Sequence, residues 1–328
     1  MNNDFTKLIL RRLATSLIVL FLMITFIFIL LRISPGDPAQ KFISPELSFE
    51  LSEKIKESFN LNSSIFNQYK SFLINLISGD LGISYNYRES VLKVIMQHLP
   101  FTMIFSLISF VIQIFVGGSL ALLAIKKING PLDRILIRFN LFIYSLPTFV
   151  FGVFLILILS EVLNILPSSG LRSFDYDSFS SFNKAKDYFL HLVMPVITLS
   201  LGGIAMFFRY LRDGLEETMN KPFVLDLRAN GYDEKTLMLR HVLPNAAGPL
   251  IAIAGVELGM LLGGALITEV IFGLPGMGRL TVNAILLRDY PLIIGCTLTA
   301  GILVVLSNLI ADIVKAGIDK RLIKDILN

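Results

Sequence analysis

Long apolar runs dominate the chain, and their positions predict its secondary structure. A helix needs about twenty mostly apolar residues to cross a lipid bilayer. Six segments meet this requirement: residues 13–31, 99–125, 139–160, 192–208, 242–268 and 290–311. A helix satisfies its backbone hydrogen bonds internally, as hydrocarbon demands, whereas a membrane β-barrel would show alternating strands of about ten residues. The sequence therefore predicts an all-α protein with six transmembrane helices.

The segment between the first two spans carries a second pattern. Apolar residues recur every four positions from Leu47 to Phe59, and again at helical spacing from Tyr69 to Ile77. These runs predict short amphipathic helices, and Gly79-Asp80-Leu81-Gly82 predicts a turn after them. The first span is longer than the apolar part of a cleaved signal peptide, and no small-residue cleavage motif follows it. We therefore interpret it as an uncleaved anchor.

Composition agrees with a membrane protein and excludes a soluble globular domain. Of the 328 residues, 54% are hydrophobic and 16% are charged, and the mean hydropathy is +0.71. More than half of the 29 Lys and Arg residues lie near the two termini and in segments 126–138 and 209–246. Cytoplasmic segments carry such an excess of basic residues. The distribution predicts that both termini are cytoplasmic, and it makes the net charge of +4 a topology signal, with no nucleic-acid partner.

Residues that would support catalysis are scattered. His98, His191 and His241 lie in three separate segments, and Cys296 is the single cysteine, which excludes an intrachain disulfide. Lys235-Thr236 resembles the end of a phosphate-binding loop but lacks the glycine that the motif requires before the lysine. We therefore expect no catalytic residue, no metal site and no cofactor, and we interpret the chain as a transport subunit and not an enzyme.

The segment 209–246 is too long and too polar to be a plain connection. Its pattern predicts three helical stretches, residues 209–220, 222–229 and 233–241, with Gly231 interrupting the last two and Asp233 as a helix N-cap. The middle stretch would be a short helix that projects from the membrane.

The fifth span contains small residues and one acid. Gly255, Gly259 and Gly263 recur every four positions, and small residues allow helices to pack closely in lipid. Glu257 lies on the opposite face of the same helix, and an acid inside the membrane is costly unless it is paired or faces a polar cavity. Two interpretations remain open: Glu257 lines a pathway, or it pairs with Asn308 or with a residue of another subunit.

The order of short motifs along the chain resembles one family. In segment 209–246, the residues Glu217, Ala229, Gly231, Arg240-His241 and Pro244-Asn245 resemble the EAA coupling loop of ABC importer permeases. Motifs elsewhere resemble the oligopeptide/dipeptide/nickel branch of these permeases: Pro35-Gly36-Asp37-Pro38, Gly79-Asp80-Leu81-Gly82, Leu146-Pro147-Thr148-Phe149, Glu269-Val270-Ile271-Phe272, Pro275-Gly276-Met277-Gly278 and Arg288-Asp289-Tyr290-Pro291. Asn230 stands where a basic residue is usual in the family. The resemblance covers essentially the whole chain.

The resemblance implies a type I ABC importer fold and a single transmembrane permease domain over residues 1–328. That domain would comprise an anchor helix (8–33), a long outer segment (34–98) and a five-helix core (99–316) with the coupling loop at 209–246. The resemblance also implies several partners: a second permease subunit, two ATP-binding subunits, an extracytoplasmic solute-binding protein and membrane lipid. Contacts with the ATP-binding subunit would be made by residues of the loop, namely Glu217, Arg228, Ala229, Asn230, Gly231 and Lys235.

The implied function is ATP-driven import of peptides or of a related small solute such as nickel or a metal chelate. The alternative is a self-sufficient secondary transporter or channel in the cell membrane. That alternative would need an intramembrane charge relay or inverted internal repeats, and Glu257 alone makes a poor relay.

Overall fold

The computed structural model describes residues 2–33 and 64–318, which form a bundle of helices. In chain order the helices are α1 (Asn2–Ile33), α2 (Ile65–Ile77), α3 (Val91–Ala124), α4 (Pro131–Ser145), α5 (Thr148–Val162), α6 (Ser181–Met219), α7 (Pro222–Ala229), α8 (234–246), α9 (Gly248–Leu262), α10 (Leu266–Ile271), α11 (Met277–Leu286) and α12 (Tyr290–Ile318). Within the described residues, strand pairing is limited to an isolated bridge between Ile83 and Ser90. The predicted all-α class is confirmed.

Five segments are long and apolar enough to cross a membrane as continuous or nearly continuous helices. They are Leu10–Ile33, Val91–Lys127, Ser181–Met219, Gly248–Ile271 and Tyr290–Lys315. The sixth predicted span is present only as the pair α4 and α5, which meet at an angle of 95°. Residues 2–33 and 64–318 therefore contain five candidate spans, or six if the bent pair counts as one.

The predicted third span, residues 139–160, is present in the structure only as a helix pair that is bent at Pro147. The helix ends at Ser145 and restarts at Thr148 because Pro147 has no N–H group and disfavours helical geometry in the residue before it. Leu146 accordingly has an extended conformation, with ψ of 131°. Hydropathy does not reveal this break because the segment as a whole remains predominantly apolar.

Two other predicted boundaries shift. The predicted fifth span, 242–268, begins in the structure at Gly248, since residues 242–246 complete α8. The helix then breaks at residues 263–265 before α10 begins.

The helix expected around Tyr69–Ile77 is confirmed as α2, and a turn follows it at Gly79–Gly82. The pattern from Leu47 to Phe59 lies outside the described residues.

Helices α3 and α6 pack along each other at the centre of the bundle, and α9 packs on α12. Helix α1 lies at the periphery against α12, where Arg12 and Asp312 form an ion pair of 2.9 Å. Helix α2 is joined to α1 by a hydrogen bond of 2.6 Å between the hydroxyls of Thr25 and Tyr69. The core therefore positions the polar loop between α6 and α9 at one end of the bundle.

Candidate functional site

The polar loop between α6 and α9, residues 220–246, is built from short helices with defined ends. Pro222 occupies the first turn of α7, and Gly231 reverses the chain with a positive φ of 84°. The carboxylate of Asp233 caps α8 by accepting a hydrogen bond of 2.9 Å from the backbone N–H of Thr236. Hydrogen bonding to Thr236 keeps the pKa of Asp233 below its ordinary value. The three predicted helical stretches are confirmed, although the third continues to Ala246.

Buried side chains fix this loop to the end of the bundle. Val224 of α7 and Leu237 of α8 are both fully buried, and they pack in one apolar cluster with Leu215 of α6 and Val242. Burying a side chain of this size contributes about 1.5–3 kcal/mol. The loop is therefore packed firmly against the ends of the membrane helices.

The six residues predicted to contact an ATP-binding subunit are all exposed. Five lie in the loop, and Glu217 lies in the last turn of α6. The six residues are Glu217, Arg228, Ala229, Asn230, Gly231 and Lys235. The backbone of Gly231 is bordered by open space, with no atom within 4 Å of the position that a Cβ would take. The structure therefore brings the predicted residues together on one accessible protrusion.

Arg228 has a partner that the sequence did not indicate. Its Nε donates to Oε1 of Glu234 at 2.9 Å, and its Nη2 donates to Oε2 at 3.2 Å. This bidentate pair closes the turn around Gly231 and joins the end of α7 to the start of α8. Because Glu234 lies six residues away across the turn, helical periodicity gives no signal for the pair.

A groove of about 710 Å³ lies beside the protrusion, between the loop and the end of α3. Its lining is mostly apolar with basic side chains: Leu122, Ile125, Lys126, Met219, Arg228, Glu234, Lys235, Met238 and Leu239. The loop therefore presents a convex turn next to a concave apolar surface.

A buried ion pair connects α4 and α6 where α6 enters the loop. Arg212 is 7% exposed and Asp133 is 1% exposed. The guanidinium donates from Nε to Oδ1 of Asp133 at 3.1 Å and from Nη2 to Oδ2 at 2.9 Å. The backbone N–H of Asn129 donates to the same carboxylate at 2.9 Å. Sequence reasoning missed this pair because its members are 79 positions apart and belong to different helices.

Glu257 is half-buried on α9 and faces α3. Its carboxylate faces the side chain of Gln113, and Nε2 of Gln113 donates to the carbonyl of Leu199 on α6 at 3.2 Å. Gln113 is fully buried. In the described residues Glu257 and Asn308 make no hydrogen bond with each other. The structure thus offers Gln113 in place of Asn308 as the intrachain partner.

The glycine stripe on α9 packs against α12 of the same chain. A Cβ on Gly255 would overlap that of Ala311, and one on Gly259 would lie 3.2 Å from Cα of Val304. Gly263, at the end of α9, is less crowded, with Ala300 at 3.8 Å. The two helices run antiparallel, so the start of α12 lies at the end of the bundle remote from the loop.

A second buried carboxylate, Glu269, stabilises the turn before α11. Thr102 of α3 donates to its Oε1 at 2.9 Å, and the backbone N–H of Arg279 donates to Oε2 at 3.0 Å. The hydroxyl of Thr102 in turn accepts from the N–H of Met277 at 2.7 Å. Among the described residues, no group of three His, Cys, Asp or Glu side chains is placed to hold a metal ion.

Comparison with known proteins identifies the family. Residues 113–324 match the model described as "Binding-protein-dependent transport system inner membrane component", and residues 5–108 match its N-terminal companion. A probable peptide ABC transporter permease of Sinorhizobium fredii is 33% identical, with 96% of this chain and 98% of the relative covered. An oligopeptide transport system permease of Bacillus subtilis is 32% identical with the same coverage.

A nickel import system permease of Staphylococcus aureus is 30% identical over 96% of this chain and 91% of its own. The fold is similar to an inward-facing MetNI methionine ABC transporter chain, with a TM-score of 0.52 at 17% identity over 70% of this chain and 97% of that one. These relatives do not favour a self-sufficient secondary transporter or channel. The chain therefore belongs to the family of binding-protein-dependent transport system inner membrane components, the permease subunits of ABC importers.

Proposed function

We propose that residues 222–236, the turn and the two short helices around Gly231, dock on a separate ATP-binding subunit and transmit its movement to the membrane helices. The observation that carries this proposal is the combination of an exposed turn with fully buried anchors, Val224 and Leu237. A partner that binds the turn tightly would move α6 and α8 with it, because the buried side chains of Val224 and Leu237 leave the loop little freedom to bend. The permease itself contributes no ATP hydrolysis.

The relatives support the rest of the assembly that we propose, and the distribution of Lys and Arg supports its orientation. Two ATP-binding subunits, a second permease subunit and an extracytoplasmic solute-binding protein would complete the importer, with both termini of this chain in the cytoplasm. Alternating access is then a two-state equilibrium that ATP binding biases. For the solute we propose peptides, because the relatives at 33% and 32% identity are peptide and oligopeptide permeases, with nickel or a nickel chelate as the second candidate.

Reconstitution tests this function directly. The chain is co-purified with its companion permease and ATP-binding subunits, placed in proteoliposomes, and supplied with the binding protein and either a peptide mixture or a nickel salt. We expect peptide uptake that requires both ATP and the binding protein. Uptake by this chain alone, driven by an ion gradient without ATP, would show that it is a secondary transporter.

For Glu257 we propose a pairing role with Gln113. Glu257→Gln retains a hydrogen-bonding side chain, so transport and the yield of assembled complex should stay near wild-type values. Glu257→Leu removes the partner of a fully buried amide, which should lower stability by about 1–3 kcal/mol. Thermal denaturation of the purified complex measures the difference. Normal assembly with impaired transport in Glu257→Gln would instead show that Glu257 lines the pathway.

A further inference from the structure

A crevice of about 200 Å³ lies at the end of the bundle remote from the coupling loop. It is bordered by the end of α1, by α2, by the turn that follows α2 and by the start of α12. Aromatic and polar side chains share its lining, including Phe28, Phe72, Gln68, Ser71 and Asn75. The exposed apolar residues Ile29, Leu30 and Ile33 continue from it along the surface of α1. The crevice therefore opens where a membrane-facing surface meets the extramembrane segment.

Arg32 brings a positive charge into this crevice. Its guanidinium carbon lies 5.4 Å from the centre of the Phe28 ring, and the side chain is half-buried. Within the described part of the chain no carboxylate lies in ion-pair distance of it. Burial raises the pKa of the neighbouring Tyr85 to about 12, so this phenol stays neutral at physiological pH and leaves the charge of Arg32 in place. A half-buried guanidinium in an apolar setting favours an anionic ligand.

Asp80 places a negative charge at the exposed rim of the same crevice. Its Oδ1 accepts a hydrogen bond of 2.8 Å from the backbone N–H of Gly82, which fixes the carboxylate. A ligand with anionic charge alone would be repelled there. The matching ligand has a phosphate for Arg32 inside, an ammonium for Asp80 at the rim, and a tail that covers the apolar surface of α1.

We propose that this crevice binds one phospholipid with an ethanolamine headgroup, its phosphate on Arg32 and its ammonium beside Asp80. General attraction of basic residues to the membrane surface would act on any arginine at a helix end. The paired opposite charges instead favour a zwitterionic headgroup at one place, and the primary ammonium of ethanolamine can donate hydrogen bonds to Asp80 that the quaternary ammonium of choline cannot. The bound lipid would connect α1 and α2 to the start of α12.

Native mass spectrometry of the assembled complex tests the site. The complex is delipidated in detergent and titrated separately with phosphatidylethanolamine, phosphatidylglycerol, phosphatidylcholine and soluble glycerophosphoethanolamine. We expect one phosphatidylethanolamine to be retained per copy of this chain, in preference to phosphatidylglycerol, with the soluble headgroup bound weakly because it lacks the acyl chains. Arg32→Gln should weaken retention about tenfold or more, the value of one charge-assisted hydrogen bond.

Three further variants make the result specific. Arg32→Lys should keep part of the binding, Asp80→Asn should lose the preference over phosphatidylglycerol, and Lys93→Gln, at an exposed cation of the same region, should change nothing. Retention in Arg32→Gln equal to wild type would overturn the site. Tighter binding of phosphatidylglycerol by the wild-type complex would overturn the assigned headgroup. Tight binding of glycerophosphoethanolamine alone would show a site for a soluble phosphate ester instead of a lipid.

Discussion

Replacing Gly231 with tryptophan should leave a normally inserted permease that binds its ATP-binding subunit about tenfold to a hundredfold more weakly, as one overpacked interface contact costs about 1–3 kcal/mol. No atom of this chain lies within 4 Å of the position that a Cβ on Gly231 would take, so an added side chain begins in open space. Besides the strain of a φ of 84°, a clash would arise against a partner that approaches this backbone closely. Co-purification with the ATP-binding subunits measures the loss, and ATP hydrolysis stimulated by loaded binding protein should fall with it.

Two smaller substitutions separate bulk from backbone geometry. Gly231→Ala adds one methyl group at a φ of 84°, a conformation that costs an alanine about 1–2 kcal/mol. Gly231→Asn adds more bulk, although asparagine tolerates this conformation better. If close approach matters, asparagine should impair association more than alanine does. Full association and full stimulation in Gly231→Trp would mean that residues 222–236 do not couple the two subunits.

Removing Arg212 should destabilise the protein by about 3–5 kcal/mol, the usual effect of leaving one member of a buried ion pair without its partner. In Arg212→Met the carboxylate of Asp133 would remain 1% exposed and would lose both guanidinium hydrogen bonds. The attachment of α4 to α6 would then be weakened where α6 enters the loop. The free energy of unfolding of the purified protein is the quantity to measure.

A matched control exists one turn away on the same helix. Arg209 is exposed, so Arg209→Met should change the free energy of unfolding by less than about 0.5 kcal/mol. Arg212 also pairs with Asp213 and Glu216, which are more exposed. The double change of Arg212→Met with Asp133→Leu removes both buried charges and should recover much of the loss, because apolar replacements of buried pairs are often neutral. Equal stability of Arg212→Met and Arg209→Met would show that the pair does not stabilise the bundle.

The parts of the fold that depend on local pattern could be predicted from the sequence. Apolar runs gave the spans, and Pro222, Gly231 and Asp233 marked the ends of the short loop helices. The bend between α4 and α5 could not be predicted from hydropathy, because a proline changes hydrogen bonding and not apolar character. Where α9 begins was also missed, since residues 242–246 are apolar enough to extend a span but pack within the loop.

The residues of the candidate site also divide into those that the local sequence pattern predicts and those that it does not. The exposed residues of the loop were predicted from its length and motif, and small residues on α9 predicted close packing. Interaction partners that lie far away along the chain could not be predicted from the sequence. Gln113 meets Glu257 from another helix, and Asp133 meets Arg212 across 79 positions. Contacts of this kind are set by how helices assemble, and a single sequence carries no periodic signal for them.

Site-specific cross-linking tests the central claim most directly. A cysteine is placed at Ala229 in a Cys296→Ser background, and the assembled complex is treated with a short thiol-reactive photo-cross-linker. A cysteine at Asn86, exposed near the start of α3 at the remote end of the bundle, serves as the control. Docking of residues 222–236 predicts an adduct between Ala229→Cys and the ATP-binding subunit, with none from Asn86→Cys. No adduct from Ala229→Cys, together with one from Asn86→Cys, would contradict both the coupling site and the cytoplasmic placement of the loop.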